Sequence, residues 1–301
     1  VEHPDSLSGS SAGEGRGGPQ LPSSRRLVRT LVHLSDLHFG RDVDLEQVRA
    51  LAGFVEARRP GAVVISGDLT QRSRHGELQR ALAFVETLRA TAPTFVVPGN
   101  HDVEWWTSPL DVLGTDLKHR KYRRYFGPDL SPSLTLPGLV IGSVLTSHGA
   151  AIGSLTWKFW RDTAVKGHLP KAEVDRARAL FGQSTPIDCR VIVLHHNVLR
   201  GKISRRMGLA RWRAAQEALA TSGADLVLCG HDHQEDMGTL PGGAVVATAG
   251  THTSRTRGGR PSAFNLIELS PKEIVVTHQL WDTATKGFRP GPRGSFPRPV
   301  R

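Results

Sequence analysis

Five short clusters in this chain consist of residues that are poor strand formers and good metal ligands. They are Ser35-Asp36-Leu37-His38, Ser66-Gly67-Asp68, Gly99-Asn100-His101-Asp102, His195-His196-Asn197 and Gly230-His231-Asp232-His233. The donors are carboxylate, amide and imidazole, with no thiolate. Such a set suits Mn, Fe, Co or Zn rather than Cu(I) or an iron–sulfur cluster. More groups are present than one tetrahedral ion takes, so two divalent ions are expected, Mn and Fe first among them. A carboxylate such as Asp68 can bridge two ions about 3.5–4 Å apart, and a hydroxide held between them would attack at neutral pH.

The elements around these clusters place them together. Residues 27–34 read as a strand that ends at Ser35-Asp36. Residues 45–58 carry a helical spacing of apolar positions (Leu45, Val48, Leu51, Val55). Residues 62–66 form a short Val/Ile run, read as a buried strand, and 77–88 form a second amphipathic helix. Residues 94–97 are a third strand, closed by Pro98-Gly99. Strand–helix–strand alternation with short connections implies βαβ units and a largely parallel sheet. Further on, helices are expected around 117–125, at 171–180 and at 209–219, with strands at 139–145, 191–194 and 226–229. Strands at 245–248, 264–269 and 274–280 read as a meander in a second sheet. The fold class is therefore α/β, a two-sheet β-sandwich core built from βαβ units and flanked by helices. In open α/β sheets ligands bind at the carboxyl ends of the strands, which is where the five clusters lie.

Composition bounds the remaining readings. The chain has 301 residues, 38% hydrophobic and 22% charged, which is ordinary for a globular protein. That length admits one or two domains, or one catalytic domain of about 250 residues with tails. No apolar run reaches the ~18 residues of a membrane-spanning helix, and the first residues lack the apolar core of a secretory signal, so a cytoplasmic location is expected. Two cysteines, Cys189 and Cys229, cannot build a disulfide framework or a four-cysteine zinc site. Residues 1–26, rich in Ser, Gly and Pro, are expected to be a disordered tail. Residues 287–301, with Arg289, Arg293, Arg298 and Arg301 among Gly and Pro, are expected to be a basic tail. The segment 27–286 would be the catalytic domain, with 105–168 as its cap or substrate loop. A net charge of +11 suggests an anionic partner.

Taken in order, the clusters resemble the calcineurin-like metallophosphoesterase superfamily, whose pattern runs D-x-H, G-D, G-N-H-[D/E], a lone or paired His, and G-H-x-H. Asp68 lies 32 residues after Asp36, and Asn100 another 32 on. The flanking Leu34-Ser35-Asp36-Leu37-His38-Phe39 and Ser66-Gly67-Asp68-Leu69-Thr70 look most like the bacterial branch related to cyclic-nucleotide phosphodiesterases. The resemblance covers about residues 27–280. It implies that Asp36, His38, Asp68 and His233 hold one metal, and that Asp68, Asn100, His195 and His231 hold the other. In paired-His versions the first is usually the ligand, which favours His195 over His196. His101 would be the catalytic histidine, and Asp102 would orient it or another ligand from behind.

The implied activity is a dinuclear metal-dependent phosphodiesterase acting on cyclic nucleotides or other small phosphodiesters by in-line attack of a metal-bridging hydroxide. Repair nucleases of the same superfamily share these blocks, so a nuclease acting on DNA or RNA is the alternative. An inactive binding protein on the same fold is the alternative of another class. Arg205 and Arg206, after the fourth block, and His252, after the strand at 245–248, are the expected substrate contacts. Trp105 and Trp106 could stack a base beside the metals.

Overall fold

The computed structural model describes residues 27–41, 43–104, 115–148, 166–253 and 256–299. The expected N-terminal tail, Trp105, Trp106 and much of the expected cap therefore lie outside the described residues.

Two six-stranded sheets are built from β1 (Thr30–Leu34), β2 (Ala62–Ile65), β3 (Thr94–Val96), β4 (Ser133–Leu136), β5 (Leu139–Ser143), β6 (Cys189–Val193), β7 (Leu226–Cys229), β8 (Asp236–Thr239), β9 (Val245–Thr248), β10 (Ala263–Leu269), β11 (Glu273–Asp282) and β12 (Gly287–Pro297). The first sheet runs β12-β11-β10-β1-β2-β3, the second β4-β5-β6-β7-β9-β8. In the first, β1, β2 and β3 are parallel; in the second, β5, β6, β7 and β9 are parallel. Strands buried on both faces read as continuous apolar runs. Ala62–Ile65 and Leu226–Cys229 are buried at every position, which is why no alternation marked them.

Three apolar clusters hold the layers. One lies between the sheets and joins Leu31, Val64 and Ile267 of the first to Ile141, Val191 and Leu228 of the second. Another packs the outer face of the first sheet against α1 (Leu45–Arg58) and α2 (His75–Arg89) through Leu51, Val55, Phe84 and Val85. The third packs the second sheet against α5 (Lys171–Phe181) and α6 (Trp212–Ala220). Between these helix pairs in sequence come α3 (Thr115–Lys118) and α4 (Arg120–Phe126). Asp44 caps α1 by accepting from the backbone N–H of Glu46 and Gln47, satisfying two of its orphan donors.

Two expectations are corrected, and one strand is added. Strands β10 and β11 return to the first sheet, where β10 lies antiparallel to β1, instead of extending the second. A strand the sequence did not signal, β8, flanks β9 at the edge of the second sheet. The expected basic tail is instead, over 287–297, the edge strand β12, antiparallel to β11. Pro cannot donate to a ladder, so within sheets it is confined to edges and bulges. Pro290, Pro292 and Pro297 satisfy that condition on an edge that needs partners on one side only. Beyond β12, Arg298 ties the first sheet to the segments that enter β6 and β7. It meets the Asp225 carboxylate at 3.3 Å, and its guanidinium also donates to the carbonyls of Ile187 and Asp188.

Candidate active site

The parallel strands β1, β2, β3, β6 and β7 all deliver their carboxyl ends to one end of the sandwich, each followed at once by one of the five clusters. The turns there are sharp. Asp36, His38, Asp68, His231 and His233 have positive φ, between 45° and 72°. Left-handed backbone in non-glycine residues costs about 1–3 kcal/mol each and persists where surrounding structure imposes it, commonly at functional sites.

Reciprocal bonds hold the turns. Asp36 N–H donates to Gly67 O at 3.0 Å and His38 N–H to Asp68 O at 2.9 Å. His231 N–H donates to Asp36 Oδ2 at 2.9 Å, and His101 N–H to Asp68 Oδ1 at 2.8 Å. The glycines in the clusters permit this crowding. A Cβ on Gly99 would stand 2.1 Å from Asp68 Oδ1, and one on Gly230 would stand 1.9 Å from Ser35 Oγ.

Two donor groups result. In the first, Asp36, His38, Asp68 and His233 bring ligand-type atoms within 4.8 Å of one another. His38 Nε2 lies 3.0 Å from His233 Nε2 and 3.6 Å from both Asp36 Oδ1 and Asp68 Oδ2. In the second, Asp68, His195 and His231 converge in the same way. His195 Nε2 stands 3.3 Å from Asp68 Oδ2 and 2.9 Å from Asn100 Oδ1, which His231 Nδ1 also approaches at 2.9 Å. Asp68 belongs to both groups.

The chemistry of these contacts fits cations. His195 Nδ1 lies 2.9 Å from Ser66 O, which only accepts, so Nδ1 carries the proton and Nε2 presents a lone pair to the amide oxygen of Asn100. In the neutral ring two acceptors would face each other, and a proton or a metal cation between them resolves the contact. Asp36 Oδ1 is buried with no hydrogen-bond partner among the described residues. Burial opposes charge on His195, but the Asp68 carboxylate beside it, with Asp36, overcomes burial and lifts its pKa to about 9. Burial pushes His231 down to about 3 and lowers His38, keeping both imidazoles neutral as ligands must be.

His101 sits beside the first group, its ring 4.8 Å from that of His38 and nearly perpendicular to it. Its Nδ1 donates to the carbonyl oxygen of Gln71 at 2.8 Å, which fixes the tautomer and leaves Nε2 available. Of the two roles expected for Asp102, orienting His101 or another ligand, its contacts correspond to the second. Its Oδ1 accepts from Thr70 N–H and Thr70 Oγ1, and its Oδ2 from Leu69 N–H and Gly99 N–H, all at 2.8–3.1 Å. It thereby ties the turn after Asp68 to the turn before Asn100. Burial and the nearby Asp68 carboxylate push its pKa up to about 6 against the pull of these donors.

Of the paired histidines, His195 reaches the cluster, while His196 Nδ1 bonds Thr146 Oγ1 at 2.9 Å and its ring packs 4.5 Å from that of His231. Arg205 and Arg206 are exposed on a loop closed by Gly201 N–H to Arg206 O and Arg205 N–H to Gly201 O, at 3.0 and 2.9 Å. That loop docks on the last cluster through Ser204 Oγ, 3.0 Å from Asp232 Oδ2. His252 is a correction. It is fully buried, its ring packed against Phe264 and Phe288, and it cannot touch substrate. The sequence showed a histidine after a strand, but not that β10 and β12 cover it. The Asp102 clamp and the Gln71 carbonyl were missed, since neither uses a ligand-type signal.

The fold and donor groups define a two-sheet phosphoesterase architecture, and comparison with known proteins agrees. The calcineurin-like phosphoesterase family model matches residues 29–235, and the chain belongs to that family. A transmembrane protein with metallophosphoesterase domain from Danio rerio is 31% identical over 115 residues, 36% of this chain and 26% of that protein. The glycerophosphodiester phosphodiesterase GpdQ of Enterobacter lignolyticus is 31% identical over 112 residues, 31% of this chain and 38% of that one. The chain thus matches well under half the length of either relative. Among solved structures, a dimetal phosphatase from Danio rerio superposes with TM-score 0.62 at 15% identity, covering 91% of this chain and 100% of that one. GAP50, the anchor in the inner membrane complex of Plasmodium, superposes at 0.55 and 15% identity, covering 91% and 90%. Among the described residues, no helix is long and apolar enough to cross a membrane.

Proposed function

We propose that this protein is a dinuclear metal-dependent phosphodiesterase acting on small phosphodiesters, cyclic nucleotides among them. One observation carries the reading: two groups of mostly buried donors share one carboxylate, Asp68. Asp36, His38, Asp68 and His233 hold one cation, and Asp68, Asn100, His195 and His231 the other, with Mn and Fe the ions the donor set favours. Two such ions, when bound, would supply Lewis-acid charge for the phosphoryl oxygens and would acidify water into a nucleophile.

The chain's own groups do the rest. His101, its Nδ1 committed to Gln71, has Nε2 left to carry a second proton, which the ring would give to the leaving oxygen as charge develops there. Asp102 holds the turns bearing Asp68 and Asn100 in one geometry. Arg205 and Arg206 present exposed guanidinium groups that would pair with anionic oxygens of the substrate.

The partial likeness to a glycerophosphodiester phosphodiesterase supports a diester preference. The basic net charge favours one second reading, a nuclease. A Mn-loaded panel of cyclic nucleotides, glycerophosphodiesters, a bis-aryl diester, an aryl monoester and single-stranded DNA separates them. Fastest turnover of a small diester supports the proposal. Monoester turnover tenfold above every diester, or turnover of DNA alone, overturns it.

A further inference from the structure

Directly beneath the donor groups, the apolar core between the sheets ends in a polar layer. His33 on β1 is paired across strands with Asn265 on β10, and Asn265 with His278 on β11. Side chains alternate along a strand, so these three share a face with Leu31, Ile267 and Val276 of the core between the sheets. His33, Asn265 and Ser66 are fully buried and His278 nearly so.

A single chain of hydrogen bonds joins them. His278 Nδ1 meets Asn265 Oδ1 at 2.6 Å, Asn265 Nδ2 meets His33 Nδ1 at 3.0 Å, and His33 Nε2 meets Ser66 Oγ at 3.0 Å. Ser66 is the residue whose carbonyl receives His195 Nδ1–H. Only one polarity satisfies every link. The Ser66 hydroxyl has an acceptor of its own in Leu34 O at 3.4 Å, so its lone pair takes His33 Nε2–H. His33 Nδ1 then accepts from the Asn265 amide, whose oxygen accepts from His278. Burial drives the His33 pKa down to about 3, so the ring works as a neutral strut.

Apolar side chains of similar volume would fill this layer without desolvating four polar groups, and such replacements are often neutral or stabilising. What the ladder supplies is position. It fixes the side chain of Ser66, whose backbone oxygen sets the direction of a candidate ligand on the opposite sheet. We propose that His33 is a positioning residue of the metal centre, holding Ser66 so that its carbonyl aims His195 Nε2 at the second cation, with Asn265 and His278 locking the required tautomer. This rests on the two-cation reading above.

The test is calorimetric titration of Mn²⁺ into chelator-stripped wild type, His33→Leu and Ser66→Ala, with ¹⁵N histidine NMR of metal-free wild type. The step belonging to the second cation is the one abolished in His195→Ala. In His33→Leu that step should weaken about 10–100-fold, the scale of outer-sphere partners of metal ligands, and in Ser66→Ala about 10-fold. The other step should stay at its wild-type value. The spectra should show His33 as the neutral Nε2–H tautomer. Wild-type affinity at both steps in both variants, equal weakening of both steps, or His33 protonated at Nδ1 would each overturn the proposal. If His33→Leu does not fold, Ser66→Ala and the spectra decide. Wild type that never takes two ions overturns the dinuclear reading itself, and the His33 tautomer then decides the ladder alone.

Discussion

The imidazole of His101 is held by the backbone of a different turn: its Nδ1 donates to the carbonyl oxygen of Gln71 at 2.8 Å, three residues past Asp68. A carbonyl cannot donate, so the available nitrogen is Nε2. Loss of a general acid costs about 10²–10⁴-fold in rate. His101→Ala should lower kcat by that order while bound metal stays at the wild-type level. The loss should shrink for a nitrophenol leaving group, which needs little protonation. Equal losses across leaving groups, measured in steady-state assays, would mark His101 as a phosphate binder instead.

Asp102 faces donors only, two on each oxygen. Each buried donor left without a partner costs about 1–3 kcal/mol. Asp102→Ala should therefore destabilise the fold by at least about 3 kcal/mol in urea unfolding. Asp102→Asn should rescue little, because its amide would press N–H against N–H. Full rescue by Asn would contradict the clamp.

Much of the site was legible because each donor cluster is contiguous and follows a buried strand; Asp36, Asp68 and His231 are named by their immediate neighbours. What was not legible depends on pairing between distant segments. Whether Phe264 and Ile274 join the first or the second sheet is a matter of topology, and their own residues do not encode it. Segment 287–297 reads as a tail because Pro and Gly dominate, and only the one-sided pairing of an edge strand makes that composition acceptable. His252 looked like a substrate contact until β10 and β12 closed over it. The ladder from His33 to His278 exists only through cross-strand register, which no local pattern announces.

Arg298 makes the end of the described chain structural. Its guanidinium is nearly buried against Asp225, itself buried, at 3.3 Å. Removing one partner of such a pair strands the other and typically costs about 3–5 kcal/mol. Arg298→Ala, or truncation after Lys286, should lower stability by that order in urea unfolding, and Arg293→Ala, on the exposed face of β12, should not. A dispensable Arg298 would return this segment to the status of a tail.

Acid should destabilise the metal-free protein through histidines buried neutral. Burial drives His119 down to about 4, and its Nε2 donates to Ser147 O at 2.8 Å. The unfolded chain, titrating near 6.5, binds the proton that the folded chain refuses, so stability falls as pH drops from about 7 toward 4. Between pH 7.5 and 5 His119 alone contributes a loss of about 2 kcal/mol. Urea unfolding of wild type and His119→Asn across that range should show the variant losing less by about that amount. Identical pH slopes would contradict the assignment.

The sharing of Asp68 by both donor groups is the claim on which the account turns. Anomalous diffraction from Mn-soaked crystals tests it most directly. Two peaks about 3.5–4 Å apart, with Asp68 between them, are expected, and Asp68→Ala crystals soaked alike should lose the pair. A single peak, or two peaks of which only one touches Asp68, would contradict it.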